Sequence, residues 1–314
     1  MNKKIGIIVG LIIVVLGGAF GFSKLKSNEA NAEGKKEMVT VSHRKGETQV
    51  PKNPEKVVVL DYGSLDIMTS IGKEPVGLPK SGLTSYLSKY KDDKYTDLGT
   101  LKEFDIEKIN ELKPDLIIIE GRQEKFYDEL NKIAPTIMLG TEGSDHFGSL
   151  DRNVKAIGSI YGVEDQMKEK MDSLNKRMEQ IGKKVKADNK TALITMVNEG
   201  NISVFGKGSR FGIIYDNFGF TPADDKIEVS NHGQNISYEY LVSKNPEYLF
   251  VIDKGIVAGG NQKPAKDVIV NDLTKNTKAY KDGKIIYLNT QVWYLGGSGL
   301  MSTEAMIDEI EKSL

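Results

Sequence analysis

Two segments of the chain carry one pattern that decides its fold: DIEKINELKPDLIII at 105–119 and SYEYLVSKNPEYLFVI at 237–252. In each, a short helical stretch ends at a Lys-Pro or Asn-Pro step, and a run of β-branched and aromatic residues follows. Proline after a helix marks a turn, and an unbroken apolar run of this length is typical of a strand buried on both faces. Because the pattern occurs once in each half, the sequence predicts two similar α/β lobes.

The same alternation of strand and helix continues outward from both segments, which predicts mostly parallel sheets with flanking helices. Further strands are predicted at 38–41, 57–60, 75–78, 136–139, 192–197, 202–205 and 285–288, and further helices at 66–71, 123–133, 211–218 and 302–313. Between the halves, apolar residues recur every three or four positions over 164–187, which predicts one long helix. We therefore expect an amino-terminal lobe at 33–161, a connecting helix at 162–188 and a carboxy-terminal lobe at 189–314.

The amino-terminal residues 1–32 have the features of an export signal. Lys3 and Lys4 precede an apolar run at 5–22, and Ala30-Asn31-Ala32 offers a small-x-small cleavage site. The run also has almost the length of a membrane-spanning helix, so a cleaved signal peptide and a retained membrane anchor both remain open. In either case the bulk of the chain is exported, to the outer face of the cytoplasmic membrane or as a secreted or periplasmic protein. The chain has no cysteine and cannot be lipidated on one.

Composition excludes several other functions. The formal net charge is −1, so nothing favours a nucleic-acid partner. The absence of cysteine excludes disulfides and thiolate chemistry, and no phosphate-binding loop, nucleophile elbow or zinc-protease motif is present. His43, His146 and His232 are scattered, which does not suggest a metal site. None of these observations favours an enzyme or a permanently bound cofactor.

Three basic residues lie close to glycines at the ends of predicted elements: Arg122 and Lys254 follow strands, and Arg210 precedes a helix. Ligands of α/β folds bind outside the carboxyl ends of the strands. These side chains therefore either converge on a cleft between the lobes or are ordinary solvated loop charges.

Several motifs closely resemble the ferric-siderophore-binding proteins of ABC importers, and best the catecholate branch that binds petrobactin- and enterobactin-type siderophores. The motifs are VPKNPEKVVVLDYG (50–63), GR (121–122), VNEG (197–200), GSRFG (208–212), NHGQNIS (231–237) and VWY (292–294). The resemblance runs from about Met38 to the carboxyl terminus. It implies a bilobal fold with one bridging helix and a pocket lined by three arginines. Two of these correspond to Arg122 and Arg210, whereas the third is Lys254, which keeps the charge but loses the bidentate fork.

The resemblance also implies how an iron complex would be bound. A ferric tris-catecholate carries about three negative charges, which a cluster of three cations suits. In such proteins a histidine and a tyrosine, here His232 and Tyr294, complete the iron coordination when a siderophore is tetradentate. The alternative is that both only line the pocket. Trp293 lies beside Tyr294 in the sequence and is a further predicted ligand contact.

A family of this kind delivers its ligand to an ABC permease, powered by an ATPase, through one surface glutamate on each lobe. The repeated segments offer Glu107 and Glu239 at equivalent positions. Two other functions remain open: capture of haem or a corrinoid on the same scaffold, and, more remotely, an exported enzyme.

Overall fold

The computed structural model describes residues 36–230, 232–259 and 262–314. The export segment predicted at 1–32 lies outside these residues. Within the described ranges, no helix is both long and apolar enough to cross a membrane.

The helices and strands are numbered in chain order. The strands are β1 Met38–His43, β2 Gly46–Pro51, β3 Val57–Val59, β4 Gly77–Leu78, β5 Thr96–Asp97, β6 Leu116–Ile119, β7 Thr136–Met138, β8 Thr191–Asn198, β9 Asn201–Phe205, β10 Thr221–Pro222, β11 Gln234–Ile236, β12 Tyr248–Asp253 and β13 Ile285–Leu288. The α-helices are α1 Tyr62–Ser70, α2 Ile106–Leu112, α3 Tyr127–Leu130, α4 His146–Tyr161, α5 Glu164–Ala187, α6 Ile213–Asp216, α7 Tyr238–Lys244, α8 Gly255–Ala258, α9 Ala265–Ile269, α10 Lys278–Lys281 and α11 Leu300–Ser313. Short 3₁₀ helices cover Ser85–Lys91, Gly121–Phe126 and Thr274–Asn276, and a π-helical turn covers Gln291–Gly296.

The described strands form two main sheets and one hairpin. The first sheet has the order β5-β4-β3-β6-β7 and is parallel throughout. The second has the order β11-β9-β8-β12-β13, with β10 also pairing β8. β8, β10, β12 and β13 are parallel to one another, whereas β9 pairs antiparallel with both of its neighbours, β8 and β11. β1 and β2 form the hairpin. The predicted α/β class with mostly parallel sheets is confirmed.

The repeated sequence segments fold alike. α2 begins after the N-cap Asp105 and α7 after the N-cap Ser237, each side chain accepting a hydrogen bond from a backbone N–H in the first turn. Both helices end at a left-handed residue, Lys113 (φ 48°) and Asn245 (φ 43°), before the Pro that starts the turn into β6 or β12. Each repeated segment therefore specifies one helix, the end of that helix and the strand that follows.

The long helix α5 has 24 residues and an apolar stripe on one side. Gly162, in the left-handed conformation at φ 66°, ends α4 and lets the chain start α5 immediately. The buried side chains of α5 are Met167, Met171, Leu174, Met178, Ile181 and Val185. They pack in the same hydrophobic core as α4 and α11, and the predicted connecting helix is present with the expected extent.

Three predicted helices differ from the structure. The helix expected at 211–218 is only the four-residue α6, Ile213–Asp216. The helix expected at 123–133 consists of a 3₁₀ helix followed by α3, which ends at Leu130. The helix expected at 66–71 begins earlier, at Tyr62, because the Asp61 carboxylate accepts a hydrogen bond from the Ser64 N–H at 2.7 Å and caps it there. A cap so close to the end of β3 leaves only a tight connection at this edge of the sheet.

The last helix, α11, packs against the first helix, α1. The carboxylate of Asp66, buried in α1, accepts hydrogen bonds from the backbone N–H groups of Met301 and Ser302, both at 2.8 Å, at the start of α11. Burial raises the pKa of Asp66 to about 6. A Cβ on Gly299 would approach the carboxyl carbon of Asp66 to 2.3 Å, so only glycine allows this packing. We call this contact between α1 and the start of α11 the α1–α11 junction.

Candidate ligand-binding pocket

A cavity of about 480 Å³ lies where the chain leaves the carboxyl ends of β3, β6, β7 and β13. Its lining is Arg44, Asp61, Tyr62, Gly63, Glu120, Gly121, Arg122, Glu124, Thr141, Gly143, His146, Arg210, Trp293, Tyr294, Leu295, Gly297 and Ser298. Strands of both sheets thus contribute to it, at the edge where α/β folds place their ligands.

Arg122 and Arg210 converge on one backbone carbonyl. The Nη2 atoms of Arg122 and Arg210 donate to the Tyr294 oxygen, at 3.4 and 3.1 Å. One arginine comes from the first half of the chain and the other from the second, so the π-helical turn that carries Tyr294 holds them together. Of the three cations for which the sequence suggested convergence, Arg122 and Arg210 thus share one hydrogen-bond acceptor.

Arg210 is the more enclosed of the two. Its guanidinium stacks on the rings of Tyr294 and Phe211, with its central carbon 4.3 and 4.8 Å from the ring centroids. Burial, and the neighbouring Arg122 charge, lower the pKa of Arg210 below its ordinary value. An arginine stays protonated nonetheless. The two guanidinium groups therefore form a preorganised cationic surface that favours an anion.

Acidic side chains line the pocket beside the cations. Glu120 Oε1 lies 2.7 Å from Arg122 Nη1 in a salt bridge whose side chains are 17% and 28% exposed. Asp61 is buried, and its Oδ2 atom has no hydrogen-bond partner among the described residues. Burial raises the pKa of Asp61 to about 6, and the Glu120 charge adds to the effect while Arg122 opposes it. Sequence reasoning did not identify either carboxylate as part of the site.

Trp293 and Tyr294 both line the cavity. The Trp293 indole is buried, and its Nε1–H donates to Glu309 Oε2 at 2.6 Å, which fixes the ring. Tyr294 remains partly exposed under Arg210. The indole can therefore report on a ligand that enters the pocket.

Lys254 and His232 are not among the residues that line the cavity. Lys254 caps α8 directly after β12, with a partly exposed side chain, and its backbone N–H donates to Val197 O at 3.0 Å. His232 is exposed in the turn before β11. Tyr294 lines the cavity and His232 does not. In the part of the chain that the structure describes, no group of three or more His, Cys, Asp or Glu side chains is placed to hold a metal ion. The binding roles of Lys254 and His232 stay predictions.

Two further pocket residues were missed from the sequence. Arg44 lies in the β1–β2 turn, outside every quoted motif, and its backbone N–H donates to Met138 O at 3.1 Å. His146 is buried at the first turn of α4, and burial lowers its pKa to about 4, so the ring is neutral at neutral pH. The only sequence signal for His146 was that it follows a predicted strand. Many histidines without a functional role follow strands, so this signal is not specific.

We expect Asp61→Asn to stabilise the protein at pH 7. The folded-state pKa of Asp61, about 6, exceeds the ordinary value of 3.8, so the folded state holds the proton more tightly than the unfolded chain. The aspartate therefore costs stability above pH 6, and this cost disappears below about pH 4, where both states are protonated. Urea unfolding should show a gain of about 2–3 kcal/mol at pH 7 and almost none at pH 4. An equal gain at both pH values would contradict the burial of an ionised carboxylate.

The fold and the pocket together define a class: an α/β ligand-binding protein whose site is built from the strand ends of two sheets. The model of the family described as "Periplasmic binding protein" matches residues 57–292. The chain belongs to this family, which confirms the prediction of a binding protein rather than an enzyme.

Relatives within the family are similar over most of the chain. The petrobactin-binding protein YclQ of Bacillus subtilis (strain 168) is 45% identical over 100% of this chain and 99% of its own length. Its crystal structure covers 88% of this chain and 99% of that one with a TM-score of 0.86. The ferric-anguibactin-binding protein FatB of Vibrio anguillarum is 30% identical over 87% of each chain. The periplasmic catecholate-siderophore binding protein VctP of Vibrio cholerae is 37% identical, with a TM-score of 0.83 over 88% of this chain and 100% of that one.

Proposed function

We propose that this protein captures ferric siderophores outside the cytoplasm and delivers them to an ABC permease, and that its preferred ligand is an anionic ferric catecholate. The observation that carries the proposal is the convergence of Arg122 and Arg210 on the Tyr294 carbonyl. Relatives named for petrobactin and for catecholate siderophores, at 45% and 37% identity, support the same ligand class.

The two converging arginines favour this ligand over the alternatives. A ferric tris-catecholate carries about three negative charges, and a guanidinium in a partly desolvated pocket binds such an anion more strongly than it would in water. Haem or corrinoid capture has no support among the relatives named above. The siderophore is cargo, so iron is the substrate of transport and not a resident cofactor of the protein.

The remaining roles are proposals of the same kind. Lys254 and His232 would contact the ligand from the loops after β12 and before β11, and Tyr294 with His232 would complete the iron coordination of a tetradentate siderophore. Glu107 and Glu239, both exposed in the first turns of α2 and α7, would dock onto the two permease subunits. Residues 1–32 would direct export or anchor the chain to the membrane, and the protein would act as a monomer beside a permease and its ATPase.

Fluorescence titration tests the proposed ligand class, because Trp293 lines the pocket and a ferric complex quenches indole emission. We expect a ferric tris-catecholate to quench saturably, with binding at least about a hundredfold tighter than that of a neutral ferric trihydroxamate of similar size. The bound complex should be recovered with unaltered spectrum and mass, which separates capture from turnover. Equal affinity for the two complexes, or preference for the neutral one, would overturn the catecholate assignment.

A further inference from the structure

Glu120 forms a salt bridge with Arg122, whose guanidinium would also bind the proposed anionic ligand. The two side chains form a salt bridge of 2.7 Å, and both are largely enclosed by the pocket wall. The Glu120 backbone N–H donates to Gln123 Oε1 at 3.1 Å. Gly140 has a φ of 91°, and a Cβ there would approach the Glu120 Cβ to 2.8 Å. The hydrogen bond to Gln123 and the close packing of Gly140, in the loop after β7, therefore fix Glu120 beside Arg122.

The pocket as a whole carries balanced charge. Three arginines line it, and so do three carboxylate side chains: Asp61, Glu120 and Glu124. A ligand with about three negative charges is attracted by the arginines and repelled by the carboxylates at short range. The ligand can therefore bind the arginines fully only if a carboxylate moves away from them.

The three carboxylates differ in what holds them. Asp61 is buried and caps α1 through the Ser64 N–H, so its movement would break a helix cap. Glu124 lies at the outer rim, with its side chain 48% exposed, and pairs with Lys45 at 2.9 Å. Glu120 is the carboxylate that is paired with one of the two converging arginines.

We propose that Glu120 is an internal competitor for Arg122: a catecholate oxygen of the ligand displaces the glutamate from the guanidinium, and the glutamate returns as the ligand leaves. This inference rests on the proposed function. A carboxylate that re-forms its salt bridge stabilises the state from which ligand has departed. Glu120 therefore lowers the affinity and speeds release, which a protein that must hand its cargo to a permease requires.

The Glu120→Gln variant tests the proposal, because it keeps the size and shape of the side chain and removes its charge. We expect the variant to bind a ferric tris-catecholate about tenfold more tightly than wild type, with most of the change in a slower dissociation rate. Affinity for a neutral ferric trihydroxamate should change by less than about twofold. Glu124→Gln removes the same charge from the rim of the same pocket and should give a clearly smaller gain.

Other outcomes would overturn the proposal. Weaker binding by Glu120→Gln would show that the glutamate positions Arg122 instead of competing for it. Equal gains from Glu120→Gln and Glu124→Gln would show a general effect of net charge. Glu120→Ala provides a second variant with the same expected sign, and thermal melting of each variant verifies folding. If wild type fails to bind ferric catecholates at all, the proposed function fails; if wild type binds them and Glu120→Gln changes nothing, this inference alone fails.

Discussion

We expect replacement of Arg210 by alanine to weaken binding of a ferric tris-catecholate, the proposed ligand, by about ten- to a hundredfold, a loss of roughly 1.5–3 kcal/mol. Arg122→Ala should have an effect in the same range. Arg210 should be the more sensitive of the two, because it stacks on two aromatic rings and its charge is the less solvated. Arg122→Ala also releases Glu120 from its salt bridge and leaves that carboxylate facing the ligand. Quenching of Trp293 fluorescence gives the affinities.

Arg152→Ala is the matched control for charge. Arg152 is exposed on α4, pairs with Asp145 at 3.0 Å and does not line the pocket. Its replacement removes one positive charge from the protein and should change the affinity by less than about twofold. If Arg152→Ala and Arg210→Ala weakened binding equally, overall charge and not the converging pair would determine the affinity.

If Glu107 and Glu239 dock onto a permease as proposed, we expect replacing both by alanine to abolish most siderophore uptake by cells while leaving siderophore binding unchanged. The two glutamates occupy equivalent first-turn positions of α2 and α7, each exposed and each two residues after the N-cap. A permease with two similar subunits needs one anchor on each lobe, and charge pairs at an interface rim fix orientation and encounter. The single variants should give intermediate rates of radiolabelled iron uptake.

The control for this pair is the Glu111→Ala/Glu228→Ala double variant. Both residues are exposed glutamates, one on α2 and one in the carboxy-terminal half, so the change of net charge is the same. At matched expression this control should take up iron at the wild-type rate. Wild-type uptake by the Glu107→Ala/Glu239→Ala variant would show that these are ordinary solvated side chains.

Much of the fold could be predicted from local pattern because each element carries its own signal. The buried run at 116–119 and the Lys113-Pro114 step before it specify β6 and its entry without help from the rest of the chain. β11 was missed because Gln234, Asn235 and Ile236 have no apolar run, and the strand exists only through its pairing with β9. A strand that is stabilised mainly by pairing with a partner strand has few recognisable features in its own sequence.

The pocket was less predictable for the same reason. Arg122 and Arg210 follow glycines near strand or helix ends, a local signal that sequence reasoning could use. The group that joins them is the backbone oxygen of Tyr294, which any residue type would supply. Glu120 and Asp61 resemble ordinary turn and cap residues until the fold places them beside Arg122.

The α1–α11 junction has a consequence for the order in which the chain folds. Asp66 finds its two backbone partners at Met301 and Ser302, which are among the last residues to be synthesised. Until Met301 and Ser302 are synthesised, the buried carboxylate of Asp66 lacks these hydrogen bonds. The loop between Asp66 and these two residues is long, and its closure is slow. A chain emerging from the ribosome therefore remains incompletely folded through most of its synthesis. For a chain exported as proposed, we expect that delay to keep it unfolded enough to pass a translocation channel and to complete its folding outside the cytoplasm.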